Sequence, residues 1–419
     1  MQPPPNPDAA GRRTVLLVLT FATILKVAWA THSLGSCDVM LFTAFARALN
    51  ARGLARLYTG SVIFNHTPLT ALGIRSLYQA VGGDIFRFSV GLRLVSIAAD
   101  ILLALGLLRL RRKTGSPPWW ALALFAMSPV SIMVSGFHGN IDPVMVMLLF
   151  FSALGVVEDR PVLCGLFFAA ACNVKIVPIL VAPVFFFYWL GRGRRPAVEF
   201  IASSGALMLA GAAWPLVHCP GAFVRNVFGY GSYWGTWGMT YWLRQSGLKA
   251  FAIESYTGLS PAQDRVMLAL KIISISGVML LAWRRRKLGG LDFFTTLGAA
   301  FAWIFVFTPG AGVQYMVWFA PFILLLSPRW WVVLTAASAV FMARYYHSGA
   351  QYHFPWTYSF PKGPEEFYWG PWMNLVWGTF IALLVCRFGS WMLLHRPAAE
   401  APAAVTPPPS AAGCLSRGR

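Results

Sequence analysis

Apolar runs recur along the chain from residue 14 to residue 394, separated by short hydrophilic breaks. Crossing a hydrocarbon core takes about 20 helical residues, or somewhat fewer inside a packed bundle. By that measure the runs predict spans at about 14–34, 88–110, 118–137, 143–157, 161–174, onward to 190, 196–216, 264–283, 291–307, 315–327, 330–345 and 371–394. The chain therefore reads as an all-α polytopic membrane protein with about twelve transmembrane helices.

The breaks carry R-R-K at 111–113, G-R-G-R-R at 191–195 and R-R-R-K at 284–287, and every one of them falls on the same side of the predicted topology. Cationic loops stay on the cytoplasmic side, so the short breaks, Arg12 and Arg13, and both termini are expected there, in a multi-pass cell-membrane protein. The long loops, about 35–87, 217–263 and 346–370, then lie outside. Pro/Ala tracts at 1–13 and 395–419 cannot bury a core and are expected to be disordered cytoplasmic ends, leaving 14–394 as one membrane body. A-W-A at 28–30 resembles a signal cleavage site, but Lys26 inside the apolar run and the Pro-rich start speak against one.

Composition agrees: 57% of residues are hydrophobic and 11% charged. The net charge of +20 would suggest nucleic acid in a soluble chain, yet the arginines sit in the breaks, where they set orientation. Six cysteines show no metal spacing and read as small packing residues, with Cys37 and Cys219 the one pair placed to meet on the outer side. The histidines 66, 138, 218, 347 and 353 sort to the outer side, along with the isolated acids and many aromatics. Most of those aromatics need no more than an interfacial belt to explain them.

The stretch G-S-C-D-V-M-L-F-T-A-F, residues 35–45, follows the first span, and apolar positions 39, 41, 42, 45 and 49 predict an amphipathic helix along the interface. Asp38 opens that helix, where a carboxylate favours the positive end of the dipole or serves chemistry. Lys175 lies in an apolar run, so it needs an anion or a wet cavity, and Asp142 of the preceding hairpin is one candidate. Arg93 and Asp100, seven apart on one helix face, suggest a structural intramembrane pair. The turn residues His138, Asn140 and Asp142 serve either substrate contact or helix capping. No pair of histidines has ligand spacing, so no metal site is expected.

The order of these features is that of a known family. An acid after the first span, an amphipathic helix and F-N-H-T-P-L-T-A resemble the first outer loop of the GT-C superfamily of membrane glycosyltransferases, with His66 and Thr67 where Tyr and Pro are usual. G-F-H-G-N-I-D-P-V-M, then G-L-F-F-A-A-A-C-N-V-K-I-V-P, is similar to the hairpin of the polyprenyl- or dolichyl-phosphate-sugar-dependent members, and T-P-G-A-G-V-Q-Y-M-V-W-F-A-P-F to their late helix. The resemblance implies a GT-C-like bundle with an interfacial helical first outer loop. It implies a hexosyltransferase, with mannose a guess, that takes its sugar from a polyprenyl-phosphate donor. The acceptor would be a lipid-linked, glycan or protein molecule on the extracytoplasmic face, with no nucleic acid involved.

In that setting Asp38 is the candidate general base of an inverting displacement. Lys175, Arg225, Arg244, Arg344 and His347 are candidates for the donor phosphate, and His66, His138, Asp142, Gln314 and Tyr315 for the substrate. No D-x-D accompanies Asp38, and no metal or other cofactor is expected. The competing class is a secondary transporter or lipid flippase. Such proteins tend to show inverted repeats and midplane sites, whereas no repeat relates the two halves here and the polar residues collect at one interface.

Overall fold

A computed structural model describes residues 7–61, 63–229, 233–252, 258–349 and 371–392. Among them every regular element is a helix. The tails, most of the loop at 346–370 and His353 lie outside the described residues. Among the described residues six helices are long and apolar enough to cross a membrane, and five shorter apolar ones accompany them.

Helix α1 is Pro7–His32, so it starts seven residues before the expected span, and Asp8–Arg13 form its first turns. Helix α2, Cys37–Gly60, is the predicted interfacial helix. It buries Val39, Phe42, Phe45 and Leu49 and bends at Gly53, whose φ of 78° a side chain would resist. Helix α3, Pro68–Ala80, begins where F-N-H-T-P-L places Pro68 at its first position, where a missing N–H costs nothing. Helix α4, Ile85–Thr114, is capped by Asp84 and ends at Gly115.

The third span is broken. Helix α5, Trp119–Ala126, stops before Pro129, α6 runs Pro129–Met133, and a π turn, Val134–His138, finishes it. Helices α7, Asp142–Val157, and α8, Pro161–Val174, form the expected hairpin. A 3-10 turn at Val177–Val181 leads into α9, Ala182–Arg192, and α10 is Arg194–His218. Two short helices follow, α11 at Pro220–Val227 and α12 at Gly238–Gln245. The chain then continues through α13, Pro261–Arg285, α14, Gly290–Phe307, a 3-10 turn at Val313–Val317 and α15, Ala320–Leu326. Helices α16, Pro328–Gly349, and α17, Met373–Met392, complete it.

Contacts sort the loops into two ends. At one end Asp8 meets Arg111 and Trp119, Glu158 pairs with Arg109 and Lys113, and Arg192 donates to the Leu288 carbonyl. The basic breaks therefore gather together, as their common sign predicted. Asp38, His138, Lys175 and Gln314 lie at the other end.

Between the ends the core is apolar and aromatic: Phe185 stacks on Phe200 and meets Phe293 edge-on. Helices α8 and α10 approach closely because Gly165 has no Cβ; one placed there would lie 2.6 Å from the Phe200 carbonyl. Cys37, Cys164, Cys172 and Cys219 are free thiols, so the sequence's one candidate disulfide, Cys37 with Cys219, does not form.

Candidate active site

One face of α4 organises the site. Ser89, Arg93, Ser96 and Asp100 fall at spacings of four, three and four, which puts them in a row along the helix. Arg93 and Asp100 do not pair with each other, contrary to the sequence expectation. Seven residues separate them by about 10 Å along the axis, beyond the reach of one ion pair. Asp100 instead binds Lys26 of α1 at 2.6 Å, with Ser131 donating to the same oxygen.

Arg93 is fully buried and binds neutral groups. It donates to the Ser33 carbonyl and hydroxyl at 2.6 and 2.8 Å, to the Ser89 carbonyl and hydroxyl, and to the Gly136 carbonyl at 3.4 Å. Ser33 precedes Asp38, and Gly136 belongs to the π turn that carries His138. One guanidinium therefore ties both sides of the site together. Ser89 adds a bond to the Leu34 carbonyl, and Ser96 one to the Asn140 carbonyl.

The two segments also bind each other directly. Ser36 donates through its hydroxyl to the His138 carbonyl at 2.7 Å and accepts from the Asp38 N–H, capping α2. Single-turn π segments often mark functional positions because they shift a side chain off the helical register. Here the π turn and Gly139, at φ 79°, aim His138 at Asp38.

Asp38 Oδ2 is 3.0 Å from His138 Nε2 and accepts from Asn140 Nδ2 at 2.5 Å. Oδ1 has no partner among the described residues, and a fifth of the side chain stays open. Burial opposes its ionisation, but the His138 charge, the His138 and Asn140 hydrogen bonds and the Lys175 charge outweigh it and hold the carboxyl at about 2. Burial and the neighbouring Asp38 push the Cys37 thiol up to about 12, which removes it as a nucleophile.

Asn140 passes the network on by accepting from the Asp142 N–H. Asp142 is fully buried and binds Lys175 at 2.9 and 3.2 Å, and Trp318 donates to its Oδ2 at 3.0 Å. Lys175 also lies 4.7 Å from the Tyr315 ring centre, which is stacked on Trp318. Of the two anions open to Lys175 in the sequence, the structure supplies the protein's own.

Asp38 and His138 open onto a cavity of about 710 Å³, which Gln314, Tyr315, Arg47 and Tyr345 also line. That volume suits a sugar with room for a second substrate. His66 is buried beside it between Phe42 and Phe64. Burial, then the Lys175 charge, lowers its pKa to about 3, which favours the neutral ring. Arg225, Arg244, Arg344 and His347 do not line this cavity. Arg225 and Arg244 are exposed on α11 and α12, and Arg344 lies over Trp372. Among the described residues no three His, Cys, Asp or Glu side chains are grouped to hold a metal.

Sequence reasoning missed Arg47, Trp318 and the role of Arg93. Arg93 carried the signal of a charge inside an apolar run, but its partners are carbonyls, which every sequence offers everywhere. Arg93→Lys keeps the charge yet cannot span Ser33 and Gly136, so a fall in turnover of roughly 10- to 100-fold with little change in KM is expected. Steady-state kinetics on the folded variant check this, and wild-type turnover would refute the positioning role.

A helical membrane bundle with Asp38 at the wall of a cleft is the arrangement that the resemblance to GT-C type membrane glycosyltransferases leads one to expect. Residues 65–192, under a third of the chain, match the family model described as "Alpha-(1->6)-mannopyranosyltransferase, N-terminal domain", a family of that type. The matched stretch begins at Asn65, inside F-N-H-T-P-L, and runs through the hairpin of Asp142 and Lys175, while Asp38 and the late T-P-G-A-G-V-Q-Y segment lie outside it. No curated protein matches the chain.

Proposed function

We propose that the protein transfers mannose from a polyprenyl-phosphate donor to a lipid-linked, glycan or protein acceptor on the extracytoplasmic face, with Asp38 as general base. The observation that carries the reading is the free Oδ1 of an ionised, doubly anchored carboxylate at the wall of the cleft. The matched family supports the sugar, and by its name an α-(1→6) linkage. The gathering of the basic breaks at the end opposite Asp38 supports the side.

The acceptor oxygen attacks C1 as the bond from C1 to the phosphate oxygen breaks, and the phosphate leaves with that electron pair. Asp38 Oδ1 takes the acceptor's proton. A carboxylate held near 2 is a weak base, so the transfer comes late, when the oxygen bonded to C1 has become strongly acidic. One displacement inverts the anomeric centre, so an α product requires a β-linked donor. A single carboxylate without a D-x-D suits a phosphate that needs no metal to leave.

Sealed vesicles of known orientation, loaded with β-linked polyprenyl-phosphate hexoses and supplied with impermeant acceptor glycans and EDTA, test the reading. The expected product is an α-mannoside, formed only in right-side-out vesicles and only from the mannose donor. Transfer from a nucleotide sugar, or only in inverted vesicles, would overturn it.

A further inference from the structure

A second cavity, of about 290 Å³, adjoins the first, and Gly310 and Tyr315 line both. Its walls are Ile179 and Leu180 after α8, Phe228 after α11, and Ile275 of α13. Ile179, Phe228 and Ile275 are exposed, so this groove opens sideways, toward where lipid surrounds the bundle.

One cation on the groove is unexplained by anything else in the site. Lys271 stands in α13, a span with a mean hydropathy of 2.1, and is exposed. It has no ion-pair partner among the described residues, unlike Lys26 and Lys175. An ionisable side chain in a lipid-facing span is costly and is kept where it meets a charged ligand. Its depth fits such a ligand. Trp303, one turn before the end of α14, donates to the Ile273 carbonyl at 3.0 Å, so Lys271 is level with the end of α14 and with Thr308–Gly310. The cation therefore sits at the head of an apolar groove and beside the partition to the Asp38 cavity. A snorkelling lysine alone explains the charge, but not the groove beneath it.

We propose that this groove holds the phosphate and first isoprene units of the lipid donor. Lys271 contacts the phosphate, the chain lies along Ile275, Ile179 and Leu180, and the sugar reaches past Gly310 and Tyr315 into the Asp38 cavity. The assignment rests on the polyprenyl-phosphate reading above. It gives the phosphate a cation that no carboxylate of the described protein neutralises, which Lys175 is not.

The test uses the full chain in nanodiscs. Binding of a polyprenyl monophosphate without sugar is measured by native mass spectrometry, alongside kinetics with the mannosylated donor. Lys271→Gln is expected to weaken binding and raise KM roughly tenfold, the scale of one charge-assisted contact. Its kcat should fall as well, because the phosphate gains negative charge as its bond to C1 breaks and the contact strengthens toward the transition state. Lys271→Arg should bind like wild type, and Ile275→Trp, which fills the groove without changing charge, should weaken binding as Lys271→Gln does. If the wild type binds the lipid and Lys271→Gln binds it equally well, the groove is misassigned and the donor class stands. If the wild type binds no polyprenyl phosphate, the donor class falls and the groove with it.

Discussion

Asp38→Asn is expected to lower the rate of sugar transfer by about 10²- to 10⁴-fold, the contribution of a positioned general base. The amide keeps an oxygen for His138 and Asn140, so the anchoring bonds that hold α2 to the π turn survive and the variant should fold. KM for the donor should change little, because Asp38 faces the acceptor hydroxyl. The assay is transfer from the mannosylated lipid donor by purified protein, and wild-type turnover in Asp38→Asn would remove Asp38 from the reaction.

The pH profile is a second reading of the same group. Its pKa in the fold, about 2, lies below the ordinary carboxylate value, so the charged form is present throughout the neutral range. The stabilisation it gives the fold is complete above the ordinary value and is lost only as pH falls through about 2. Activity should therefore show no acid limb from Asp38 between pH 8 and pH 4. An acid limb within that range in the wild type that disappears in the residual activity of Asp38→Asn would mean the carboxylate titrates far above where its neighbours hold it.

Lys175→Met should destabilise the fold more than Asp38→Asn, Arg93→Lys or Lys271→Gln, by about 3–5 kcal/mol, because it leaves a buried, uncompensated carboxylate at Asp142. Asp142→Asn should cost a comparable amount by stranding Lys175, whereas the double variant Lys175→Met with Asp142→Leu should recover much of the loss. Unfolding of the detergent-solubilised protein by heat or denaturant measures each variant. If Lys175→Met were as stable as wild type but raised KM for the donor, the lysine would serve the phosphate and the ion pair with Asp142 would be incidental. The geometry argues otherwise: both Asp142 oxygens face the ammonium, Trp318 binds one of them, and Tyr315 covers the cation.

These expected results separate what the residues announce from what only packing reveals. The spans were legible because lipid imposes one rule on every residue of a crossing helix, and charge breaks that rule visibly. The predicted 143–157, 161–174 and 291–307 are found at Asp142–Val157, Pro161–Val174 and Gly290–Phe307. That Asp38 would stand at the outer end of the first span was legible for a related reason, as a lone acid after an apolar run, and the structure puts it at the wall of a cavity.

The partners of charges were less so. Periodicity places Arg93 and Asp100 on one face of α4 and does not reveal that Lys26, 74 residues before Asp100, is the counterion. His66 stands in the family motif but becomes a buried neutral ring, because Phe42 and Phe64 arrive from α2 and its loop. Arg225, Arg244, Arg344 and His347 carried the right charge on the predicted side, yet charge sign does not say which cations converge. Lys271 is the converse, a lysine hidden in an apolar run until α14 and the turn after α8 were seen to wall it into a groove.

The sequence by itself determined the membrane class, the helices and their alternation between two ends. Each of these follows from local hydrophobicity and charge, read within a window of tens of residues. The tertiary structure decided which charges neutralise one another, which hold backbone, and which stay unpaired among the described residues. Those outcomes depend on distances of about 3 Å between residues a hundred positions apart.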